Sequence, residues 1–187
     1  ALVKVLKVNK NYGFGKLLEV LEKSPHRVDP PCPYYEQCGG CHLMHVDDEG
    51  QRSFKKKRVS DALTRIGKST FDQVEDTVGM EVPYAYRNKV QIPLGRVQGK
   101  FVAGFYAKRS HRIIDIEKCM VQHPQGDAVL GILRLWAEKF QLSTYQEDQG
   151  VNPKGLLRHV MVRKGFHTGD LMVVLVVTNK DVPHLEE

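Results

Sequence analysis

Apolar and polar positions alternate at the start of the chain, where residues 2–8, LVKVLKV, and 13–21, GFGKLLEVL, read as two short strands joined through Asn9–Tyr12. Two strands alone do not make a stable unit, so they are expected to be the tail of a small β-barrel whose earlier strands precede Ala1. The proline-rich, polar stretch EKSPHRVDPPCP follows and reads as a linker or ordered loop. From Asp47 or Asp48 to Ile66 the pattern predicts a helix, with an acidic start, Gly67 at its end, and an apolar stripe of Phe54, Val59, Ala62, Leu63 and Ile66.

Three strands are then expected across YRNKVQIPLGRVQGKFVAGFYAKRSHRIIDI, with turns near Arg96–Gly99 and Lys108–Ser110. Pro93 marks an edge strand or a strand end, since it lacks an N–H for the ladder. GDAVLGILRLWAEKFQL places Val129, Ile132, Leu133, Trp136 and Phe140 at helical spacing, with Trp136 read as core. GLLRHVMVRKGFHTGDLMVVLVVT reads as a hairpin turning at His167–Gly169, and its second strand, apolar on both faces, is expected to be central. The fold class is therefore α+β: a barrel remnant, a cysteine-bearing loop, one helix, and a β-rich central domain with a packed helix. The chain has no internal repeat and no low-complexity tract.

With 187 residues, 41% hydrophobic and 27% charged, the composition is that of a water-soluble globular chain, and no apolar run approaches the ~20 residues of a membrane span. No secretion signal is visible, so a cytoplasmic location is expected; there, four cysteines point to metal or catalysis more readily than to disulfides. The net charge of +6 favours a polyanionic partner.

Three of the four cysteines stand in CPYYEQCGGC: Cys32, Cys38 and Cys41, with Cys119 far downstream. The two-residue gap lets both thiolates of Cys38 and Cys41 reach one centre, and Gly39–Gly40 between them permits backbone conformations closed to other residues. Three ligands from one loop and a fourth from a distance suit a cubane [4Fe–4S] cluster. Zinc, with His42 or His45 as a further ligand, and a set of redox thiols remain alternatives from spacing alone. The plain reading of both histidines is as polar loop residues. A cluster held by four cysteines has no open position for substrate, which leaves it a redox or cross-linking role.

Between Tyr86 and Arg112 stand seven basic residues, Arg87, Lys89, Arg96, Lys100, Lys108, Arg109 and Arg112, and no acidic one. Tyr86, Phe101, Phe105 and Tyr106 are interleaved with them. Cations neutralise phosphates and aromatic faces stack on unpaired bases, so the mixture suits single-stranded RNA; the plain alternative is a solvated sheet face over core aromatics. The stretch Val151 to Gly169 repeats the bias through Lys154, Arg158, Arg163 and Lys164. RSFKKKR in the first helix reads as ordinary solvated surface. No glycine-rich strand-to-helix turn followed by an acidic residue offers a nucleotide pocket.

SPHRVDPPCPYYEQCGGCHLMH, YRNKVQIPLG, GFYAKRSHRIIDIEKC and LRHVMVRKG together closely resemble the S-adenosylmethionine-dependent RNA uracil-5-methyltransferases, specifically the iron–sulfur branch that modifies 23S ribosomal RNA. The resemblance runs along essentially the whole chain. It implies that Cys32, Cys38, Cys41 and Cys119 ligate a [4Fe–4S] cluster. It also implies four segments: residues 1–24, the last strands of a TRAM-type (OB-like) barrel; 25–46, linker and cluster loop; 47–78, a helix that packs on a catalytic domain; 79–187, a central RNA-binding domain. In that family a separate C-terminal domain binds S-adenosylmethionine and flips out a uridine, a cysteine attacks C6, C5 takes the methyl group, and a base removes the C5 proton. The motifs of that domain have no counterpart here, and VDPPC is not its acidic–proline–proline motif, so no catalytic residue is expected.

The leading expectation is thus an RNA-binding, cluster-carrying part of a 23S ribosomal RNA uracil-5-methyltransferase, inactive by itself. Its expected RNA contacts are Arg87, Lys89, Lys108, Arg109, His111 and Arg158. Arg87 has a second reading as a buried structural arginine, and the 109–111 turn as a brace beside Cys119. A stand-alone RNA-binding module with a structural metal and a small redox protein are the alternatives.

Overall fold

A computed structural model describes residues 1–70, 73–146 and 154–186. The expected segments 47–78 and 79–187 and the basic stretch beginning at Val151 reach partly outside these described residues. The chain divides into two compact units, one of Ala1–Asp29 with Leu43–Thr77, the other of Pro30–His42 with Val78–Glu187.

In the first unit, β1 (Leu2–Val8) pairs antiparallel with β2 (Gly13–Glu19), as the alternation predicts. The Asn9 N–H donates to the Tyr12 carbonyl at 2.8 Å and closes the turn. Every residue of both strands is exposed, so this ribbon has no packed face of its own. Helix α1 (Asp48–Asp61) follows and continues as a π-helical turn over Ala62–Ile66, ended by the Gly67 N–H donating to the Ala62 carbonyl. Its cap is built from sequence-distant groups. Asp47 accepts the Gly50 N–H at 2.7 Å, and His26 Nδ1 lies 3.2 Å from the same carboxylate. The Gly50 N–H first, and then His26, hold the Asp47 carboxyl below its usual range against the partial burial that would raise it. Gly50 is the buried residue of α1; Phe54, Val59, Leu63 and Ile66 are exposed, Ile66 at 83%.

The second unit is a five-stranded antiparallel sheet in the order β5-β4-β3-β6-β7 with one helix against it, so the fold is α+β. The strands are β3 (Lys89–Val97), β4 (Lys100–Tyr106), β5 (Ile113–Asp115), β6 (Leu157–Lys164) and β7 (Leu171–Val177). Gln98 and Gly99 both have positive φ, the requirement of a two-residue hairpin turn between β3 and β4. Helix α2 (Pro124–Lys139) starts two residues before the predicted run, capped by His123 and opened by a proline. Leu130, Leu133 and Ala137 of α2 pack on Ile92 and Leu94 of β3 and Phe101 and Ala103 of β4, which alternate along their strands, and on Leu157 and Val160 of β6, between which the β6–β7 register shifts.

Three expectations are corrected. Pro93 is on neither an edge strand nor a strand end: β3 is central, but it pairs with β6 through Lys89–Pro93 and with β4 through Leu94–Val97, so the missing N–H falls where one ladder gives way to the next. β7 is not central but at the sheet edge, with Leu171, Met172, Val173 and Val174 exposed. Ile132 is 66% exposed; the buried stripe of α2 runs through Gly126, Leu130, Leu133 and Ala137, with Val129, Trp136 and Phe140 flanking it. No helix among the described residues is long and apolar enough to cross a membrane.

Candidate metal centre and nucleic-acid interface

Residues 30–42 form an irregular loop stitched to the end of β4. The Gly39 N–H donates to the Tyr106 carbonyl at 2.9 Å and the Lys108 N–H to the Gln37 carbonyl at 3.3 Å, which sets Cys38 opposite Ala107. Within the loop, the Tyr35 N–H donates to the Cys32 carbonyl, the Cys38 N–H to the Tyr34 carbonyl, and the Tyr35 hydroxyl to the His42 carbonyl at 2.9 Å. A Cβ at residue 39 would lie 2.9 Å from the Tyr106 oxygen, so the close approach requires glycine there. Beneath the loop, Cys38, Ala107, Ile114 and Ile116 form a small apolar cluster, against which Tyr34, Phe105 and Cys119 pack. Two cysteines 81 positions apart in sequence therefore belong to one packed group.

All four cysteines are free thiols in one neighbourhood. Burial pushes the Cys41 thiol up, the Arg87 guanidinium pulls it down, and Cys119, Cys38 and Cys32 each push it up again. Burial also raises Cys119, opposed by the backbone N–H groups of Val121 and Gln122. The Gly40 N–H donates to Cys38 Sγ at 3.3 Å. A cation and backbone donors aimed at sulfur stabilise thiolates, the form in which cysteine binds metal, and hydrogen bonds to sulfur tune iron–sulfur clusters. Burial nonetheless leaves both the Cys41 and Cys119 thiols raised overall, so the neutral thiol is favoured there, and the fit to a cluster rests on four cysteine sulfurs as the donor type. No three histidine, cysteine, aspartate or glutamate side chains among the described residues are arranged to hold a metal ion. His42 lines a cavity beside Lys108 and Arg109, and the His45 carbonyl accepts the Val28 N–H.

Asp127, which the sequence did not single out, is part of this neighbourhood. Its carboxylate accepts the Cys119 N–H at 3.1 Å and the Gln122 side-chain amide, and burial pushes its carboxyl up. Only its position, eight residues past Cys119 in the first turn of α2, could have drawn attention to it.

The expected RNA contacts separate in space. Arg87 is half-buried, its N–H donating to the Val121 carbonyl and its guanidinium 6.0 Å from the Tyr86 ring centroid. Lys89 is exposed at the start of β3, opposite Arg163. Lys108, Arg109, His111 and Arg158 are exposed. The Lys108 ammonium lies 4.7 Å from the Tyr35 ring, Arg109 has φ +56°, His111 lies 5.6 Å from the Tyr106 ring, and the Arg158 guanidinium lies 4.7 Å from the Tyr145 ring.

Part of the basic, aromatic segment serves the fold instead. Arg96 donates to the Leu142 and Ala137 carbonyls at 3.1 Å and pairs with Glu138, satisfying the C-terminal end of α2. Phe101 is 1% exposed in the core and Phe105 packs against both apolar clusters, whereas Tyr86 and Tyr106 reach the surface.

Two cavities border Tyr106. One, of about 470 Å³, includes Gly39, Gly40, Lys108 and Arg109. The other, of about 300 Å³, lies over Gly95 and Val102 and includes His111, Arg112, Tyr145, Arg158 and His159. Among the described residues, neither has an acidic side chain in its wall. Sequence reasoning missed Tyr145 and His159, because their neighbours arrive from other strands and loops.

No family model matches the chain. It is 50% identical over 185 residues to a protein of Clostridium tetani named "Uncharacterized RNA methyltransferase", covering 99% of this chain and 39% of that protein. It is 46% identical over 181 residues to a protein of that designation from Halalkalibacterium halodurans, covering 97% and 39% respectively. A Listeria monocytogenes protein of that designation is 45% identical over 184 residues, covering 98% and 40%. The chain therefore spans about two fifths of the length of these relatives. Among solved structures, the Pyrococcus abyssi tRNA (uracil-54, C5)-methyltransferase in complex with S-adenosyl-L-homocysteine shares this fold, with a TM-score of 0.70, 24% identity, and coverage of 97% of this chain and 39% of that one.

Proposed function

We propose that this chain is the RNA-holding, cluster-carrying part of an RNA methyltransferase. Within that class we assign it to the iron–sulfur uracil-5-methyltransferases that act on 23S ribosomal RNA. The match along nearly the whole of this chain to proteins named RNA methyltransferases supports the class. The cluster reading is supported by Cys32, Cys38, Cys119 and Arg87 all lying near enough to influence the Cys41 thiol, and the 23S target by the sequence resemblance. Cys32, Cys38, Cys41 and Cys119 would hold a [4Fe–4S] cluster, which supplies a redox-capable cross-link with no open position for substrate. The 1–24 ribbon is assigned to a TRAM-type barrel, 25–46 to the linker and cluster loop, 47–78 to a helix docking on the catalytic domain, and 79–187 to RNA binding. S-adenosylmethionine supplies the methyl group in a catalytic domain that would follow these segments in the whole enzyme.

In this reading Lys89, Lys108, Arg109, His111 and Arg158 meet RNA, and Arg87 braces the cluster loop. Every phosphate neutralised releases counterions, so binding weakens steeply with salt. The test is binding of a 23S ribosomal RNA fragment and of transfer RNA across a salt series, with S-adenosylmethionine added in parallel. Salt-sensitive preference for the 23S fragment without methyl transfer is expected. Preference for transfer RNA would overturn the target, and salt-independent or absent binding would overturn the RNA-holding role.

A further inference from the structure

Tyr106 is the shared wall of two cavities that offer different halves of one chemistry. On one side, Lys108 and Arg109 present two cations at the β4–β5 turn next to the Gly39–Gly40 backbone. On the other, the sheet face opposite α2 is floored by small or apolar residues and walled by rings: His111 at 5.6 Å from Tyr106, and across the floor Tyr145, with Arg158 4.7 Å from its centroid. The cations Lys108, Arg109, Arg112 and Arg158 in the two walls favour an anion, and the rings favour a planar, unsaturated group. A cavity of about 300 Å³ is at the small end of ligand sites, suiting one base with its sugar. Because both cavities share one tyrosine, a ligand filling them is continuous across that ring. A strand of linked nucleotides meets all of these conditions.

We propose that Tyr106 divides a track for two consecutive nucleotides of single-stranded RNA: one unstacked base lies over Gly95 and Val102 between His111 and Tyr145, and the adjoining phosphate lies against Lys108 and Arg109. This rests on the RNA-holding reading above and adds Tyr106, Tyr145 and Arg112 to it. The half-buried His159 at the floor would meet the base edge, where burial and Arg158 hold its imidazole below its ordinary range and favour the neutral ring.

The test is the affinity of this chain for a labelled single-stranded RNA of about ten nucleotides, inside the ~4–16 nucleotides that single-strand sites occupy. Tyr106→Ala and Tyr145→Ala are each expected to weaken binding about 5- to 160-fold, the range of base–aromatic stacking, and to leave the salt dependence unchanged. Tyr106→Phe, which keeps the ring, is expected to bind within about twofold of the parent on the same stacking argument. Lys108→Ala is expected to lower the salt slope by about one. Both alanine variants binding as tightly as the parent would overturn the track and leave the RNA-holding role standing. Uridine monophosphate competing as well as the oligonucleotide would show a mononucleotide site and overturn the two-nucleotide reading. A parent chain that binds no RNA would overturn both.

Discussion

Gly39 donates its N–H to the Tyr106 carbonyl at 2.9 Å, and a Cβ on residue 39 would stand 2.9 Å from that same oxygen. One contact thus fixes the cysteine loop to the end of β4 and forbids a side chain where it does so. Gly39→Ala is expected to cost about 1–3 kcal/mol, as overpacking does, and to speed labelling of the loop cysteines by a thiol reagent. Unchanged stability and labelling would mean that the loop is not held there.

The buried face of α2 can be tested directly. Leu130 is 1% exposed and packed in the sheet core, whereas Ile132, two residues on, is 66% exposed. Denaturant unfolding should give a loss of about 2–5 kcal/mol for Leu130→Ala. For Ile132→Ala the change should stay within about 0.5 kcal/mol. The reverse order would rotate the helix to the face that hydrophobic spacing suggested.

His159 links stability to pH. Burial, with Arg158 beside it, holds its pKa below the ordinary value of 6.5, so the unfolded chain takes up the proton first as pH falls. Its contribution is intact above about pH 6.5 and declines below that, down to the folded pKa. His159→Gln should therefore lose less stability than the parent between about pH 7.5 and pH 5, read from denaturant midpoints at each pH. Parallel losses would assign the acid sensitivity to other groups.

β7 leaves an apolar edge with Leu171, Met172, Val173 and Val174 exposed, and unpaired strand edges template association. Val174→Lys is expected to reduce concentration-dependent self-association in sedimentation experiments without changing the unfolding midpoint. Persistent association would direct attention to the exposed Phe54 and Val59 on α1 and Ile66 on the π-helical turn that follows it.

The sequence disclosed those elements whose signals are local. Alternation and glycine-bearing turns located the strands, and the acidic start and Gly67 bounded the first helix to within its π-helical last turn. What it hid depends on partners. The composition of β7 cannot tell an edge from a centre, since apolar residues on both faces state a burial that other chain segments must provide. Pro93 is tolerated inside β3 because the strand changes partners there, and nothing near Pro93 encodes that change. Arg96 looked like one more surface cation until Ala137 and Leu142, over forty residues away, proved to be its acceptors. The cysteine spacing pointed to one site, but Arg87 and Asp127 acquire their places beside it only through the fold.

The central claim is that the four cysteines hold a [4Fe–4S] cluster, and the most direct measurement is anaerobic visible absorption with iron and acid-labile sulfide counts, comparing this chain with Cys119→Ser. A broad visible band with about four iron and four sulfide per chain, lost in the variant, is the predicted result. Stoichiometric zinc without sulfide in the anaerobically prepared chain would contradict it.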